Sequence, residues 1–427
     1  MRGKASRGAL KGVTPEVVVS DRACYPLYMA KIHSAFPKPI FMGAATRTPI
    51  GKFGGSLKRF QAGELAALAL QETLRRVNER SGEGEVLGPD WVLLGHARQA
   101  GARPNPARQA ALFAGLSESV PAITFNQACA SSLAAVISGA EKLALGRAQA
   151  VYAGGVESMS NTPYYLMQGR WGLKMGNTEI VDGMTQDGFL CPMAKMLMGA
   201  TVDTFLAKEL GISRTDQDEY ALLSQNRAEK AWKEGLFSGE VFEVPGDVKN
   251  PGLSEDEHRR PGTSLQSLAK LAPVFEASGS VTAGNSSGVT DGAAFLHLTS
   301  RRLPSSEVEL LDHETVGLDP RRMGLGPVEA TRRLLQRQGL RVQDLEAVEL
   351  NEAFAAQVLA CNQELRIPIE KLNSRGGAIA IGHPIGATGA RILVTLSHIL
   401  RGKPGALGVA TLCVSGGQGV AVLVRGL

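Results

Sequence analysis

Twice along this chain the same local order recurs: a small-residue junction carrying a reactive side chain, an apolar helix, a short apolar strand and a glycine pair. The first copy starts at Cys129 in Asn126-Gln127-Ala128-Cys129-Ala130-Ser131-Ser132, continues through an alanine-rich segment to about residue 146, and ends with 150–153 before Gly154-Gly155. The second starts at His383 in Gly382-His383-Pro384-Ile385-Gly386-Ala387-Thr388-Gly389, continues through 390–400, and ends with 406–412 before Cys413-Val414-Ser415-Gly416-Gly417. A repeated order of this kind predicts two α/β halves of like topology, with their reactive ends facing one cleft.

Locally, the apolar run 378–381 reads as a buried strand, Gly382-His383-Pro384 as a tight turn, and 390–400 as a helix with Ile392, Leu396 and Ile399 on one side. Pro384 fixes the turn, and a histidine held there can exchange protons near neutral pH. Cys129 falls at a strand-to-helix junction, where unpaired N–H groups and the helix dipole favour a thiolate. An inert core cysteine belongs in the middle of an apolar run. Cys129 is flanked by small and polar residues instead.

Elsewhere, 40–45 and 91–95 read as strands, 64–77 as an amphipathic helix, and 106–114 as a helix opened by proline. This rhythm predicts a mainly parallel sheet covered by helices. From 158 the character changes: glycine, methionine and polar residues dominate to 199, helices are expected at 201–210 and 215–235, and 245–262 is charged and broken by Pro and Gly. The expected organisation is an extension at 1–38, a first half formed by 39–158 with 289–305, an inserted loop domain at 159–288, and a second half at 306–427.

At 427 residues and 44% hydrophobic, the chain can build more than one ordinary core, and no apolar stretch approaches the roughly 18 residues of a membrane span. The net charge of +5 invites a nucleic-acid reading. However, residues 1–38 hold seven Lys/Arg against two Asp/Glu, so the rest of the chain is balanced and no nucleic-acid surface is expected. The basic leader fits an organellar transit peptide, a flexible tail or an early start codon. Five widely spaced cysteines with no CxxC pair predict reduced thiols and no metal site.

Two thiols and an imidazole beside glycine-rich turns suit acyl transfer in which a carbon–carbon bond is made or broken. One thiolate attacks a thioester, a base activates it, and a second base moves a proton next to a carbonyl. Negative oxygen develops in both steps and needs N–H donors.

Further motifs stand in order along the chain: Arg47-Thr48-Pro49-Ile50-Gly51-Lys52-Phe53-Gly54-Gly55, Asn105-Pro106-Ala107-Arg108-Gln109-Ala110, Gly154-Gly155-Val156-Glu157-Ser158-Met159-Ser160, residues 282–288 with Asp291-Gly292-Ala293-Ala294, and Asn351-Glu352-Ala353-Phe354. With the Cys129, His383 and Cys413 segments, they make residues 39–427 resemble the thiolases, in particular the acetyl-CoA C-acetyltransferases. The resemblance implies two βαβαβαββ halves in five α-β-α-β-α layers with an inserted loop domain, assembled as a homo-oligomeric dimer or tetramer. It implies Cys129 as the acyl-accepting nucleophile, His383 as its base and Cys413 as the acid-base for the α-proton. Asn351 would hold a water of one oxyanion hole, and the amides of Cys129 and Ser415 would form the other. Arg260, Ser267, Phe275, Ala283 and Ser287 fall where the family contacts coenzyme A, and Met198 and Phe354 where it lines the acyl pocket. No cofactor is expected to be permanently bound; coenzyme A and acyl-CoA are substrates.

The expected activity is 2 acetyl-CoA ⇌ acetoacetyl-CoA + CoA. The alternatives are a broader-chain 3-ketoacyl-CoA thiolase, a decarboxylating condensing enzyme, and a non-catalytic acyl-CoA-binding scaffold. Cys413 argues against the decarboxylating enzyme. The loop 161–188 resembles the biosynthetic members, whereas Leu197 stands in place of their typical histidine. Ser132 and Ser415 replace usual glycines, which predicts side chains beside the oxyanion hole. The cytoplasm is the expected compartment, with the mitochondrial matrix as the alternative if 1–38 act as a transit peptide.

Overall fold

The first half is built from β1 (Ile40–Arg47), α1 (Ala62–Ser81), β2 (Trp91–Gly95), α2 (Pro106–Phe113), β3 (Ala122–Phe125), α3 (Ser131–Ala144) and β4 (Ala150–Ser158). A long connection containing α4 (Arg214–Lys233) then leads to β5 (Thr290–Thr299), which returns beside β4. The second half comprises β6 (Ser306–Gly317), α5 (Gly326–Arg337), β7 (Ala347–Leu350), α6 (Ala355–Leu365), the one-turn α7 (Ala378–Ile381), α8 (Thr388–Leu400), β8 (Leu407–Val414) and β9 (Gln418–Gly426). The computed structural model describes residues 34–81 and 88–427. The expected extension lies outside the described residues except at its end, where the Ala35 N–H donates to the Leu311 carbonyl and Phe36 packs on His313.

The strands join in the order β7-β8-β9-β6-β1-β5-β4-β2-β3, and the short Gly51–Lys52 strand pairs with β5. Only β7–β8, β2–β3 and β2–β4 run parallel. The expectation of a mainly parallel sheet is therefore corrected. The βαβ pieces read from sequence do give the parallel pairs, but β1, β5, β6 and β9 meet antiparallel at the centre. Such strands are buried on both faces and carry no alternation that reveals direction.

Helices α3 and α8 pack together between the two halves of the sheet, α1 and α2 cover the outer face of the first half, and α5 with α6 beside it covers the second. These are the five layers expected. Leu133 and Val136 of α3, Ile392 and Leu396 of α8, and Val151 and Leu412 from the strands share one core. The halves approach so closely that a Cβ on Gly155 would lie 2.2 Å from the Gly386 carbonyl oxygen, and one on Gly386 would lie 2.4 Å from that of Val156. Only glycine fits there.

Three local readings change. The run 378–381 is a helical turn and not a strand, because four apolar residues carry no period that separates the two. Besides its parallel pairing with β8, β7 makes a single parallel bridge from Val348 to Leu372, just before this turn. Strand β4 passes through Gly154-Gly155 and continues to Ser158. The helix expected at 201–210 is a short α-turn, Met198–Val202, followed by a wide π-turn, Asp203–Lys208.

The connection 159–289 is anchored by buried charge. Arg47 reaches Glu240 at 2.8 Å and Asp256 at 2.6 Å, and Glu352 accepts from Tyr220 and Ser224 of α4. Removing one partner of such a buried ion pair costs roughly 3–5 kcal/mol, because the other charge is left buried and uncompensated.

Candidate active site

Cys129 ends a turn whose preceding residue, Ala128, has φ 45°, a region that non-glycine residues seldom occupy. Hydrogen bonds hold this turn from several sides. The Asn126 carboxamide accepts from the Ala128 N–H, and the Ser131 hydroxyl donates to the Ala128 carbonyl while accepting from the Gln127 N–H. Gln127 donates to Gln418 of the other half. The result is a thiol presented just before the N-terminus of α3.

Burial pushes the Cys129 thiol above its ordinary 9.0, while a hydrogen bond from the Ser415 amide and the positive charge of Arg98 pull it down. Burial prevails. The thiolate expected from the helix dipole alone is therefore not the resting form, and the residue needs a base.

His383 follows α7, with Gly382 at φ 109° turning the chain. Its Nδ1 lies 2.6 Å from the Thr388 hydroxyl, which donates its own hydrogen to the Pro384 carbonyl. The hydroxyl can only accept from the ring, so Nδ1 carries the proton and Nε2 is the free base. Nε2 lies 3.4 Å from the Asn351 amide nitrogen. Burial, then the charges of Arg391 and Arg98, bring His383 down to about 3, so the imidazole is neutral at physiological pH.

Cys413 sits inside the end of β8, fully enclosed, and burial raises its thiol well above 9.0. A thiol held protonated in this way is a proton donor.

These groups open on one cavity of about 330 Å³, which Cys129, His383, Cys413 and Ser415 line together. Met198, Phe354, Phe275 and Ser287 line it as well. Asn351 lies behind His383, off the cavity wall, and its buried carbonyl oxygen has no partner among the described residues. Arg260, Ser267 and Ala283 gather elsewhere, around a pocket of about 140 Å³ shared with His258. The residues expected to contact coenzyme A are thus divided between two neighbouring depressions. Ser132 does not face the cavity; its hydroxyl accepts from the Ala390 N–H at 2.8 Å and ties α3 to α8. Ser415 and Leu197 do line it.

Sequence reading missed two buried acids that hold the loops. Glu157 accepts from His96 and from the amides of Ala97, Arg98 and Gly386, and so fastens the His383 loop to the first half. Glu352 accepts from Asn373 and the Ile379 N–H and fixes α7. The available signal was an acid at the end of each apolar strand, where a charge is tolerated only if the fold pairs it. His258 and Arg98 gave no local signal.

Two like halves that bring a thiol, a neutral imidazole and a second thiol to one cavity define an acyl-transferring enzyme. The family model of the thiolase N-terminal domain matches residues 40–302, and that of the C-terminal domain matches 305–426. An acetyl-CoA acetyltransferase of Pseudomonas aeruginosa is 44% identical over 389 residues, covering 89% of this chain and 97% of that protein. The crystal structure of the Bacillus anthracis acetyl-CoA acetyltransferase superposes with TM-score 0.86 at 38% identity, covering 93% of this chain and all of that one. That of human mitochondrial 3-ketoacyl-CoA thiolase gives 0.84 at 36%, covering 92% of this chain and all of that one. The chain belongs to the thiolase family.

Proposed function

We propose that this thiolase interconverts two acetyl-CoA with acetoacetyl-CoA and CoA through an acyl group on Cys129. The opening of Cys129, His383, Cys413 and the Ser415 amide on one cavity carries the reading. In thiolysis, Nε2 of His383 takes the Cys129 proton and the thiolate adds to the 3-oxo carbonyl. The amides of Cys129 and Ser415 stabilise the oxyanion, and donors of this kind are worth about 2.7–4 kcal/mol each. The carbon–carbon bond breaks, and the α-carbon of the departing acetyl-CoA takes the proton of Cys413. Free CoA then gives its thiol proton to Cys413 and attacks the acyl-Cys129. The released Cys129 thiolate recovers its proton from His383, and every group returns to its starting state.

Asn351 holds a water against Nε2 of His383 in this reading, consistent with its unpartnered carbonyl oxygen. Arg260, Ser267 and Ala283 take the phosphate-bearing end of coenzyme A, and Phe275 and Ser287 its pantetheine arm, with Met198 and Phe354 against the acyl group. No tightly held cofactor is needed. A homo-oligomer, dimer or tetramer, in the cytoplasm completes the reading; light scattering checks the former and fractionation the latter. Among the described residues no helix is long and apolar enough to cross a membrane.

A broader-chain 3-ketoacyl-CoA thiolase is the second reading, favoured by Leu197 and Met198 on the cavity wall. Thiolysis of acetoacetyl-CoA and of a medium-chain 3-ketoacyl-CoA, each with the intact chain and with Cys129→Ala, decides between them. Turnover of the short substrate alone, lost in the variant, is the expected result. Turnover of the longer one establishes the second reading, and CoA-ester binding without turnover overturns both.

A further inference from the structure

One stretch of chain helps to line both depressions expected to take coenzyme A. Phe275 and Ser287 face the 330 Å³ cavity, and Ala283 and Gly284 face the 140 Å³ pocket. Little within this stretch holds it in place. Residues 273–282 fold back as a hairpin in which Pro273 bridges to Thr282 and the Val274 N–H donates to the Val281 carbonyl. Pro273 has no N–H to give, so the ladder is short of rungs.

The donors of the returning strand go to a side chain instead. Oδ1 of Asp203 accepts from the Ser280 N–H at 2.8 Å, the Ser280 hydroxyl at 3.0 Å and the Val281 N–H at 3.1 Å. Asp203 is buried, opens the wide π-turn, and lines neither depression. Such widened turns are rare and recur at functional sites. The helical turn just before it, Met198–Val202, brings Met198 and Gly199 to the cavity. It meets the hairpin without slack, since a Cβ on Gly199 would fall 2.1 Å from the Phe275 ring. Phe275 in turn meets Phe354 edge-on, with ring centroids 6.0 Å apart, and Val281 shares one core with Cys413 and Met323.

Hydrogen bonds from backbone amides to a carboxylate are among the strong ones. Three of its donors taken by one oxygen set the hairpin against the helical turn. We propose that Asp203 is a positioning residue for the coenzyme A arm: it fixes the wall common to the two depressions, and the preference for coenzyme A over a truncated thiol carrier depends on it. This rests on the thiolase reading and deepens it. Asp203 touches no reacting atom. A thioester that carries the whole arm and nucleotide must fit both depressions at once, so a loosened wall costs it affinity. A thioester that ends after the first amide of the arm spans the cavity alone.

The test compares acylation of Cys129 by acetyl-CoA and by S-acetyl-N-acetylcysteamine, which keeps the thiol end of the arm and lacks the nucleotide. With either, the Cys129 S–H and the thioester give acetyl-Cys129 and the free thiol, so acyl-enzyme mass and released thiol follow the same chemistry. In Asp203→Ala the ratio of the acetyl-CoA rate to the truncated rate is expected to fall about 10-fold, as for lost hydrogen bonds to a charged group, while the truncated thioester changes by less than about twofold. Asp203→Asn, which keeps the accepting oxygen, retains most of the ratio. Phe275→Ala lowers the ratio as well, and combining it with Asp203→Ala lowers it by less than the product of the two, because both act through one wall. Ser280→Ala removes one of the three bonds and lowers the ratio in the same sense; it decides the matter if thermal melting shows Asp203→Ala unfolded. An Asp203→Ala that slows both thioesters equally overturns the proposal, as do a double variant whose effects multiply and a Ser280→Ala with an unchanged ratio. If neither thioester acylates Cys129 of the intact chain, the thiolase reading falls and this proposal with it.

Discussion

The two halves share a plan and divide the labour. In the first, Gly95 of β2 lies opposite Gly155 of β4; in the second, Leu350 of β7 lies opposite Thr411 of β8. One residue past the first pair stands His96, and past the second, Asn351. Two residues past Gly155 stands Glu157, and past Thr411, Cys413. The equivalent positions therefore carry a buried His96–Glu157 pair at 3.1 Å in one half and the Asn351 and Cys413 of the site in the other. The connections differ as sharply. Between β8 and β9 the chain needs only a turn at 415–417, whereas between β4 and β5 it runs through 159–289. Both link antiparallel neighbours. A tight hairpin was all the fold required; the long connection supplies Met198, Phe275 and Ser287 to the cavity. Like topology thus yields a buried clasp on one side and a thiol on the cavity wall on the other, because each strand end is free to take whatever its surroundings will pair.

This contrast predicts a graded set of outcomes. Cys129→Ala should abolish the acyl-enzyme and lower thiolysis kcat by at least about 10⁴-fold with little change in melting temperature, as loss of a covalent nucleophile does. Next, Cys413→Ser should cost about 10²–10⁴-fold in kcat, the range for a positioned acid-base, and again leave stability nearly unchanged. Its counterpart Glu157→Ala should behave the other way. It strands His96 and three amides, costs about 3 kcal/mol in urea unfolding, and loses activity through the displaced His383 loop. If Glu157→Ala instead keeps full stability, the division between clasp and chemistry fails.

The pH dependence comes next in size. Burial lowers His383 from 6.5 to about 3, and His258 and His297 to about 4, so in each case the unfolded chain takes the proton first. Their stabilising effect is complete above pH 6.5 and is lost as the pH falls through about 4 for His258 and His297 and through about 3 for His383. Asp291, raised from 3.8 to about 6 by burial, works oppositely, since its contribution is present below 3.8 and lost as pH rises through about 6. Glu349, raised from 4.5 to about 8 by burial, works in the same sense as Asp291; three histidines still outweigh these two carboxyls near pH 5, giving a net loss of roughly 1–2 kcal/mol per pH unit as the solution is acidified. Urea midpoints at pH 7 and pH 5 measure it; equal midpoints would mean that these imidazoles are hydrated. The smallest effect belongs to Ser132→Gly. It removes the acceptor for the Ala390 N–H and should cost about 1 kcal/mol while leaving thiolysis within a few-fold.

Much of the site was legible because its signals are local. A reactive side chain at the start of a helix, a glycine-bounded turn and a proline at a fixed offset are features of ten residues or fewer, and they located Cys129, His383 and Cys413. One cavity is lined by these together with Ser415, Met198 and Phe354, and by Phe275 and Ser287, while Arg260, Ser267 and Ala283 line another. The side chain of Ser132 was misread for the opposite reason. The backbone N–H that claims its hydroxyl lies 258 residues away.

Sequence by itself determined the two-half order, the placing of Cys129 and His383 at turns that lead into helices, and most of the helix starts, since propensity, capping and turn chemistry act over one or two turns of chain. Tertiary structure alone decided the antiparallel centre of the sheet, the helical turn at Ala378–Ile381, and the clasp of Glu157 on Gly386. It also decided the protonation states, with His383 held neutral and both thiols protonated. Those outcomes depend on which surfaces bury one another, and the free energy of burying a charge or a backbone N–H is set by partners that no local stretch of sequence specifies.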